Sequence, residues 1–381
     1  MTYLDPIFSD RIADVPRSFI REILKVALDP SVISFAGGLP NRELFPVEAL
    51  RRAACAVLDT EGRDVLQYGS SEGHLGLREH ISERYRLKAG LDVPVDSILI
   101  TSGSQQGLDL LGKVLLNDGD ALVIEEPGYL GAIQAFSLYR PTFLPVPLLP
   151  DGMDPDALRA ALARFRPKLL YAVPNFQNPS GISYSEDNRR EVAEILSGTG
   201  IFLIEDDPYG ELRFAGSDIP SFKSLLPDNT ILLGTFSKTL VPGFRLGWIA
   251  APPALMQKLI TAKQATDLHT THFTQSIVCR YVHDNDPDEH IRLIREVYGR
   301  QCRAMQESIR RHFPPEVAYT RPEGGMFLWA ELPGGMAAVD LFERAVQDKV
   351  VFVPGDPFYV RGGRHSTMRL NFSCSDVDTI E

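Results

Sequence analysis

The sequence has few cysteines and no long apolar segment. Among its 381 residues it contains only Cys55, Cys279, Cys302 and Cys374, which are scattered and form no CxxC pair. Neither a disulfide framework nor a zinc site is therefore indicated. No stretch approaches the ~18 to 20 uninterrupted apolar residues of a membrane-spanning helix, and the N-terminus lacks the basic and apolar regions of a signal peptide. We expect a cytoplasmic protein with no membrane partner and no metal.

The sequence also lacks an excess of positive charge. Its 39 lysines and arginines are outnumbered by 50 aspartates and glutamates, which gives a net charge of -11. Nucleic acids and anionic membranes are bound through concentrated lysine and arginine. We therefore expect no nucleic-acid partner, although local anion-binding pockets remain compatible with this charge.

From Ser97 onwards, apolar strand-like runs alternate with segments of helical spacing. Such runs lie at residues 98–102, 121–125, 169–173 and 202–205. This rhythm is typical of an α/β fold with a mostly parallel sheet covered by helices on both faces. More strand-like runs and a helix after residue 312 predict a smaller α+β domain.

The chain is long for a single core, which favours more than one domain. We expect residues 1–45 to be an N-terminal segment that joins the smaller domain and carries an amphipathic helix at about 17–28. Residues 46–312 would form the large domain. Residues 313–381 would form the small C-terminal domain.

Polar residues gather directly after the strands of the alternating region, where ligands bind in α/β sheets. In chain order these clusters are Gly103-Ser104-Gln105, Tyr129, Asn178-Pro-Ser-Gly181, Asp206-x-x-Tyr209, Thr235-x-Ser237-Lys238 and Arg245. Taken alone, each has an ordinary explanation as a helix start, a core aromatic, a turn, a helix N-cap or a solvated charge. Their succession at strand ends favours one binding site.

The chemistry of these residues suits a phosphorylated carbonyl cofactor. The amine of Lys238 can form a Schiff base with a carbonyl group, while Ser237 and Arg245 can hold a phosphate. The helix that begins near Gln105 offers free amides and a positive dipole end to the same phosphate. A carboxylate such as Asp206 at a buried strand end is costly unless a cation pairs with it, and a protonated pyridine ring is such a cation.

Together these motifs resemble those of the fold type I pyridoxal-phosphate aminotransferases. Three further strings are similar to the branch that contains α-aminoadipate and kynurenine aminotransferases, namely Phe35-Ala-Gly-Gly-Leu-Pro40, Thr101-Ser-Gly-Ser-Gln-Gln-Gly107 and Arg321-Pro-Glu-Gly-Gly-Met-Phe327. The resemblance covers about residues 17–373. It implies transfer of an amino group between amino acids and 2-oxo acids with pyridoxal 5′-phosphate as cofactor.

The resemblance assigns a role to each motif residue. Lys238 would hold the cofactor and move the proton at the substrate Cα, and Asp206 would pair with the ring nitrogen. Tyr209 and Asn178 would contact the ring oxygen, and Tyr129 would stack on the ring. The phosphate would be bound by Gly103, Ser104, Gln105, Ser237 and Arg245, with Thr235 nearby and Tyr68 reaching in from a second subunit. The role of Tyr68 implies a homodimer with shared active sites.

Substrate recognition would depend on Arg369, which matches the arginine that binds the substrate α-carboxylate. Gly38 and Asn178 would lie against the substrate, and Arg21 would meet a distal carboxylate. Without the family match, both arginines would be interpreted as solvated charges. We accordingly expect α-aminoadipate, or another long-chain or aromatic amino acid, as donor and 2-oxoglutarate as acceptor.

Two other functions use the same scaffold. A lyase or decarboxylase that depends on pyridoxal phosphate shares the early chemistry, so the sequence does not exclude it. A transcription regulator can carry this domain as an effector sensor, but the 36 residues before Gly37 are too few for a DNA-binding domain. The resemblance also implies a C-terminal helix, which would only be starting at residues 376–381; either the sequence is cut short there or the protein does without the rest.

Overall fold

A computed structural model gives the fold and describes residues 7–13, 15, 23, 29–363 and 365–381. Its β-strands are β1 (Ile33–Ser34), β2 (Ile98–Thr101), β3 (Ala121–Glu126), β4 (Thr142–Leu149), β5 (Gly152–Met153), β6 (Leu169–Ala172), β7 (Phe202–Asp206), β8 (Thr230–Thr235), β9 (Gly247–Ala250), β10 (Ala318–Tyr319), β11 (Phe327–Glu331), β12 (Val350–Val351), β13 (Val353–Pro354) and β14 (Thr367–Asn371).

The α-helices, numbered along the described residues, are α1 (Asp10–Ala13), α2 (Val47–Glu61), α3 (Leu75–Ala89), α4 (Ser104–Leu115), α5 (Leu130–Ser137), α6 (Pro155–Arg164), α7 (Glu186–Leu196), α8 (Phe222–Leu225), α9 (Pro253–Thr266), α10 (His272–Asp284), α11 (Pro287–His312), α12 (Ala338–Gln347) and α13 (Val377–Ile380). Single 3-10 turns lie at Arg42–Leu44, Asp64–Leu66, Val95–Ser97, Gly210–Leu212, Pro242–Phe244 and Asp356–Phe358.

The largest sheet has eight strands in the order β2-β9-β8-β7-β6-β3-β4-β5. Neighbouring strands from β8 to β4 are parallel, whereas β9 is antiparallel to both its neighbours and β5 is antiparallel to β4. Every residue of β6 and β8 is buried. Parallel strands that are covered on both faces have continuous apolar sequences, and this sequence shows such runs. The predicted mostly parallel α/β sheet is confirmed.

A second sheet is built from the C-terminal part of the chain. Its four strands lie in the order β10-β11-β14-β13 and all pair antiparallel. Near it, β1 pairs in parallel with β12, so residues 33–34 contact residues 350–351. The division of the chain at residues 45 and 312 stays a prediction.

Most helix boundaries agree with the sequence pattern to within a few residues. Pro46 is the N-cap of α2, and Tyr129 is the N-cap of α5. The two-residue strands β5 and β10 were not predicted, because two residues leave no periodicity to detect. The amphipathic helix expected at about 17–28 lies outside the described residues except for Ile23.

The parallel arrangement brings the predicted site together. Strands β3, β6, β7 and β8 run in one direction, so their carboxyl ends lie along one edge of the sheet. The segments that follow them carry Tyr129, Asn178, Tyr209 and Lys238, respectively. These residues are distant in sequence, but the sheet places the segments that carry them at the same edge.

No helix within the described ranges is long and apolar enough to cross a membrane. The same residues contain no group of three or more His, Cys, Asp or Glu side chains placed to hold a metal ion. A cytoplasmic location stays a prediction from the sequence.

Candidate active site

The loop after β8 is fixed by its own hydroxyl groups. The Oγ1 atom of Thr235 accepts a hydrogen bond from the Ser237 amide at 3.1 Å and lies 2.9 Å from Ser237 Oγ. It also lies 3.0 Å from the carbonyl oxygen of Leu246, at the start of the returning strand. Thr235 therefore stabilises the turn that carries Lys238.

Lys238 reaches across to the N-terminal segment. Its Nζ donates a hydrogen bond to the carbonyl oxygen of Gly38 at 2.9 Å. Enclosure by protein, together with the positive charges of Arg369 and Arg245, lowers the pKa of Lys238 to about 8. A lysine with a lowered pKa has a larger neutral fraction near pH 7, and the neutral amine is the nucleophilic form.

Asp206 ends β7 and is 1% exposed. The hydroxyl of Tyr171 donates a hydrogen bond to its Oδ2 at 2.7 Å, whereas its Oδ1 is buried with no hydrogen-bond partner among the described residues. Burial raises the pKa of Asp206 to about 7. A buried carboxylate oxygen without a partner is costly, so this atom is suited to a cationic or N–H group of a bound molecule.

The helix-capping alternative applies to the neighbouring acid. The Oδ1 atom of Asp207 accepts a hydrogen bond from the Gly210 amide at 2.8 Å, where the turn Gly210–Leu212 begins. Asp207 directly follows β7, and its carboxylate is engaged by this turn, whereas that of Asp206 accepts from Tyr171.

Asn178 links two other predicted residues. Its Nδ2 donates to the Tyr209 hydroxyl at 3.4 Å, and its Oδ1 accepts from Arg369 Nη1 at 2.8 Å. Burial raises the pKa of Tyr209, so its hydroxyl stays protonated near neutral pH. All three side chains are buried and form one chain of contacts.

Arg369, on β14, is 3% exposed and enclosed by aromatic rings. Its guanidinium lies 4.4 Å from the ring centre of Phe327 and 5.4 Å from that of Phe358. Nη2 donates to the carbonyl oxygen of Ala36 at 2.7 Å, while Nε has no hydrogen-bond partner in the described part of the chain. Burial lowers the pKa of Arg369 to about 10, which leaves it charged at neutral pH. A charged donor with a free N–H is suited to a carboxylate.

The N-terminus of α4 lies against an arginine. Gly103, directly before the helix, has φ 78°, and a Cβ atom built on it would lie 2.5 Å from Arg245 Nη2. The first amides of a helix have no intrahelical partner and carry the positive end of the helix dipole. With Ser104 as the first helical residue, this cradle is suited to a phosphate.

Gln105 does not turn its side chain toward that cradle. Its Nε2 donates a hydrogen bond to the carbonyl oxygen of Gly131 at 2.8 Å. A Cβ atom on Gly131 would lie 2.6 Å from the Tyr129 hydroxyl, so Gln105 supports the segment that carries this ring. Burial raises the pKa of Tyr129 to about 12.

Two predicted site residues are not brought into this constellation within one chain. Tyr68 is 78% exposed, and its ring packs edge-on against His269 with 5.8 Å between the ring centres. Arg21 lies outside the described residues.

Sequence reasoning missed the aromatic residues around the polar groups. Phe327 and Phe358 enclose Arg369, and Tyr171 holds Asp206. Phe327 ends the motif that begins at Arg321, but its side chain has no polar group that would indicate a binding role. Tyr171 offered one signal, a hydroxyl in an otherwise apolar strand.

Comparison with known families identifies the chain. The family model described as aminotransferase class I and II matches residues 32–381. The chain belongs to this family. It is a transaminase, and its cofactor is pyridoxal 5′-phosphate.

Relatives of this aminotransferase match along nearly the whole chain. The 2-aminoadipate transaminase of Thermus thermophilus is 42% identical over 96% of this chain and 91% of its own length. The aromatic-amino-acid aminotransferase 1 of Thermococcus litoralis is 41% identical over 96% of this chain and 89% of its own. The crystal structure of Pyrococcus horikoshii kynurenine aminotransferase, in complex with PMP, superposes with a TM-score of 0.95 at 40% identity, covering 99% of this chain and 95% of that one.

The side chains of this aminotransferase fit its cofactor. The unpartnered Oδ1 of Asp206 is suited to a protonated ring nitrogen. The close approach of Arg245 to Gly103 is suited to the phosphate, and the lowered pKa of Lys238 is suited to an amine that reacts with a carbonyl group.

Proposed function

We propose that this aminotransferase transfers the amino group of a long-chain or aromatic amino acid, with α-aminoadipate as the best candidate, to 2-oxoglutarate. The observation that carries the proposal is Arg369, a buried cation whose Nε has no hydrogen-bond partner among the described residues and whose charge acts on Lys238. The substrate class is supported by three relatives, whose names give 2-aminoadipate, aromatic amino acids and kynurenine as their substrates.

When bound, pyridoxal 5′-phosphate supplies a carbonyl group for the substrate amine and a ring that withdraws electrons from the substrate. Lys238 holds the cofactor and then moves the proton at the substrate Cα, for which its lowered pKa is favourable. Asp206 keeps the ring nitrogen protonated. Asn178 and Tyr209 would donate to the ring oxygen, and Tyr129 would stack on the ring.

The phosphate is held at the start of α4 and in the loop after β8. The backbone amides of the helix N-terminus and the guanidinium of Arg245 provide the positive charge. The residues proposed for this role are Gly103, Ser104, Gln105, Thr235, Ser237 and Arg245. Gln105 acts through its backbone amide, because its side chain is engaged with Gly131.

Arg369 orients the substrate through its α-carboxylate. Asn178 Oδ1 accepts a hydrogen bond from the guanidinium, and the rings of Phe327 and Phe358 pack against it. A fixed carboxylate holds the Cα–H bond in reach of Lys238, which proton transfer requires. Gly38 would lie against the substrate, and its lack of a side chain leaves room beside Phe327, whose ring a Cβ atom there would approach to 3.2 Å.

The proposed assembly is a homodimer with shared active sites. Tyr68 is the residue that reaches the phosphate of the partner. In support, large apolar side chains near Tyr68 in sequence are also exposed, including Leu66 and Leu75. Where exposed apolar side chains form a contiguous patch, they mark protein interfaces. The domain division at residues 45 and 312 belongs to the same proposal.

A half-reaction screen tests the substrate class. Purified enzyme loaded with pyridoxal 5′-phosphate is mixed with single amino acids, and the loss of the cofactor's absorbance band is followed. We expect the fastest loss with α-aminoadipate or aromatic amino acids. Absence of any loss with every amino acid would contradict transamination by this proposed site.

The role of Arg21 is tested in the same screen. We expect Arg21→Ala to raise KM for dicarboxylic substrates and to leave KM for apolar ones unchanged, because only the former carry a distal carboxylate. Equal effects on both classes would remove Arg21 from substrate recognition.

Product analysis separates transamination from the alternative reactions. A transaminase converts the donor to a 2-oxo acid that retains every carbon atom, whereas a decarboxylase releases carbon dioxide and an eliminating lyase releases the β-substituent. The substrate-carboxylate role of Arg369 disfavours decarboxylation, because the carboxylate is kept, and the products distinguish transamination from elimination.

A further inference from the structure

Tyr171 is placed as a fixed donor to Asp206. It lies on β6, is completely buried, and packs edge-on against Phe136 with 6.0 Å between the ring centres. Its hydroxyl oxygen lies 2.7 Å from Asp206 Oδ2, a length typical of a hydrogen bond to an ionised carboxylate. Burial and the negative charge of Asp206 keep the pKa of Tyr171 far above neutrality, so this hydroxyl retains its proton.

The contact makes the two oxygens of Asp206 unequal. Oδ2 accepts the Tyr171 proton, whereas Oδ1 has no partner among the residues that the structure describes. Because burial disfavours the charged carboxylate, a donated hydrogen bond is needed to stabilise it. The hydrogen bond from Tyr171 is the contact that lowers the proton affinity of Asp206.

We propose that Tyr171 is a positioning residue that acts through Asp206: its hydroxyl binds Oδ2, favours the ionised form of the carboxyl group and leaves Oδ1 for the ring nitrogen of the cofactor. This inference rests on the proposed function, in which Asp206 pairs with that nitrogen. Without Tyr171, the proton shared between Asp206 and the ring nitrogen would shift toward Asp206. The ring would then withdraw electrons less strongly from the substrate.

Other titratable groups also act on Asp206. Those coupled to it from its own strand and from the packed elements are Tyr129, Tyr209, Glu125 and Asp207. A substitution at Tyr171 leaves all four in place. The difference between the variant and the wild type therefore reports the Tyr171 contact.

Tyr184 provides a matched control. It is also completely buried and packs edge-on against an aromatic ring, that of Phe222. Its hydroxyl donates at 2.8 Å to another buried carboxylate, that of Glu125. Tyr184→Phe thus removes the same kind of hydrogen bond without touching Asp206.

The first experiment uses the apoenzyme. Carboxyl-¹³C aspartate is incorporated, and the Asp206 signal is assigned by its loss in Asp206→Asn. We expect Tyr171→Phe to raise the titration midpoint of Asp206 by about one pH unit. Tyr184→Phe acts on Asp206 only through the charge of Glu125, and since it favours the neutral form of that acid it is expected not to raise the midpoint. An unchanged midpoint in Tyr171→Phe, or equal shifts in both variants, would overturn the proposal.

The second experiment uses the enzyme loaded with ¹⁵N-labelled cofactor at one pH. We expect Tyr171→Phe to move the ring-nitrogen signal toward its unprotonated value and to lower kcat about 10-fold with KM nearly unchanged. Tyr184→Phe should match the wild type, and no movement in Tyr171→Phe would overturn the proposal. An unprotonated nitrogen in the wild type would instead contradict the proposed pairing with Asp206, which separates the two failures.

If Tyr171→Phe does not fold, 3-fluorotyrosine at position 171 replaces it. The fluorinated hydroxyl is more acidic and keeps the shape of the side chain. It is therefore a stronger donor and should lower the titration midpoint of Asp206 in the apoenzyme. A constant or higher midpoint would overturn the proposal.

Discussion

Gly103→Ala tests whether the cofactor phosphate is bound where α4 begins. Gly103 has φ 78° and ψ 164°, a conformation that residues other than glycine adopt at a cost on the order of 1–3 kcal/mol. The added methyl group would also lie 2.5 Å from Arg245 Nη2. Because this atom ends a flexible side chain, Arg245 can move away at little cost. Backbone strain therefore dominates the loss of stability, and displacement of Arg245 dominates the loss of binding.

Both effects can be measured on the apoenzyme. We expect the thermal midpoint to fall by roughly 2–6 °C, from the strain energy and a sensitivity of about 2 °C per kcal/mol for a large domain. We expect the Kd for pyridoxal 5′-phosphate to rise roughly 10- to 100-fold, because a charge-assisted contact is lost. Differential scanning fluorimetry gives the first quantity and a fluorescence titration gives the second.

Gly119→Ala is the control. Gly119 also has a positive φ, of 82°, but a Cβ atom there would meet no other atom within 4 Å. It lies in the turn before β3, away from the carboxyl ends of the strands. We expect this variant to lose stability through strain while its cofactor affinity is unchanged. Normal affinity in Gly103→Ala, or an equal loss in Gly119→Ala, would refute the phosphate site.

Three further variants test the remaining roles. Lys238→Ala should abolish turnover, and a normal rate would refute its assignment. Arg369→Lys should lower kcat/KM roughly 100-fold or more, because lysine lacks the planar donors that bind a carboxylate; unchanged steady-state kinetics would mean that the carboxylate binds elsewhere. Burial raises the pKa of Asp206 to about 7. The folded apoenzyme therefore keeps a proton on Asp206 that the unfolded chain loses near pH 4. As a result, Asp206 lowers the free energy of unfolding increasingly as pH rises from about 4 to 7. Apo Asp206→Asn should therefore have a higher thermal midpoint than the wild type at pH 8 but not at pH 4, and an equal difference at both would contradict this account.

The family resemblance assigned the ring-nitrogen role to Asp206, but local sequence preferences do not distinguish this acid from its neighbour Asp207. Asp206 and Asp207 are adjacent, and both follow an apolar run. In the structure, Asp207 caps a turn while Asp206 receives the Tyr171 hydroxyl. The difference depends on what each carboxylate contacts in the folded chain. Likewise, the motif at Gln105 predicted a phosphate contact, but its side chain meets Gly131 of a different segment.

The sequence by itself determined the alternation of strands and helices, the order of the polar clusters and their position at strand ends. These features follow from local preferences: apolar runs form buried strands, and glycine, proline and small polar residues form the turns between them. Only the tertiary structure decided the contacts between segments. Arg369 meets Asn178 across 191 positions of sequence, and Lys238 meets Gly38 across 200. Such contacts depend on how the two sheets and the N-terminal segment pack together, and that packing leaves no periodic signal in the chain.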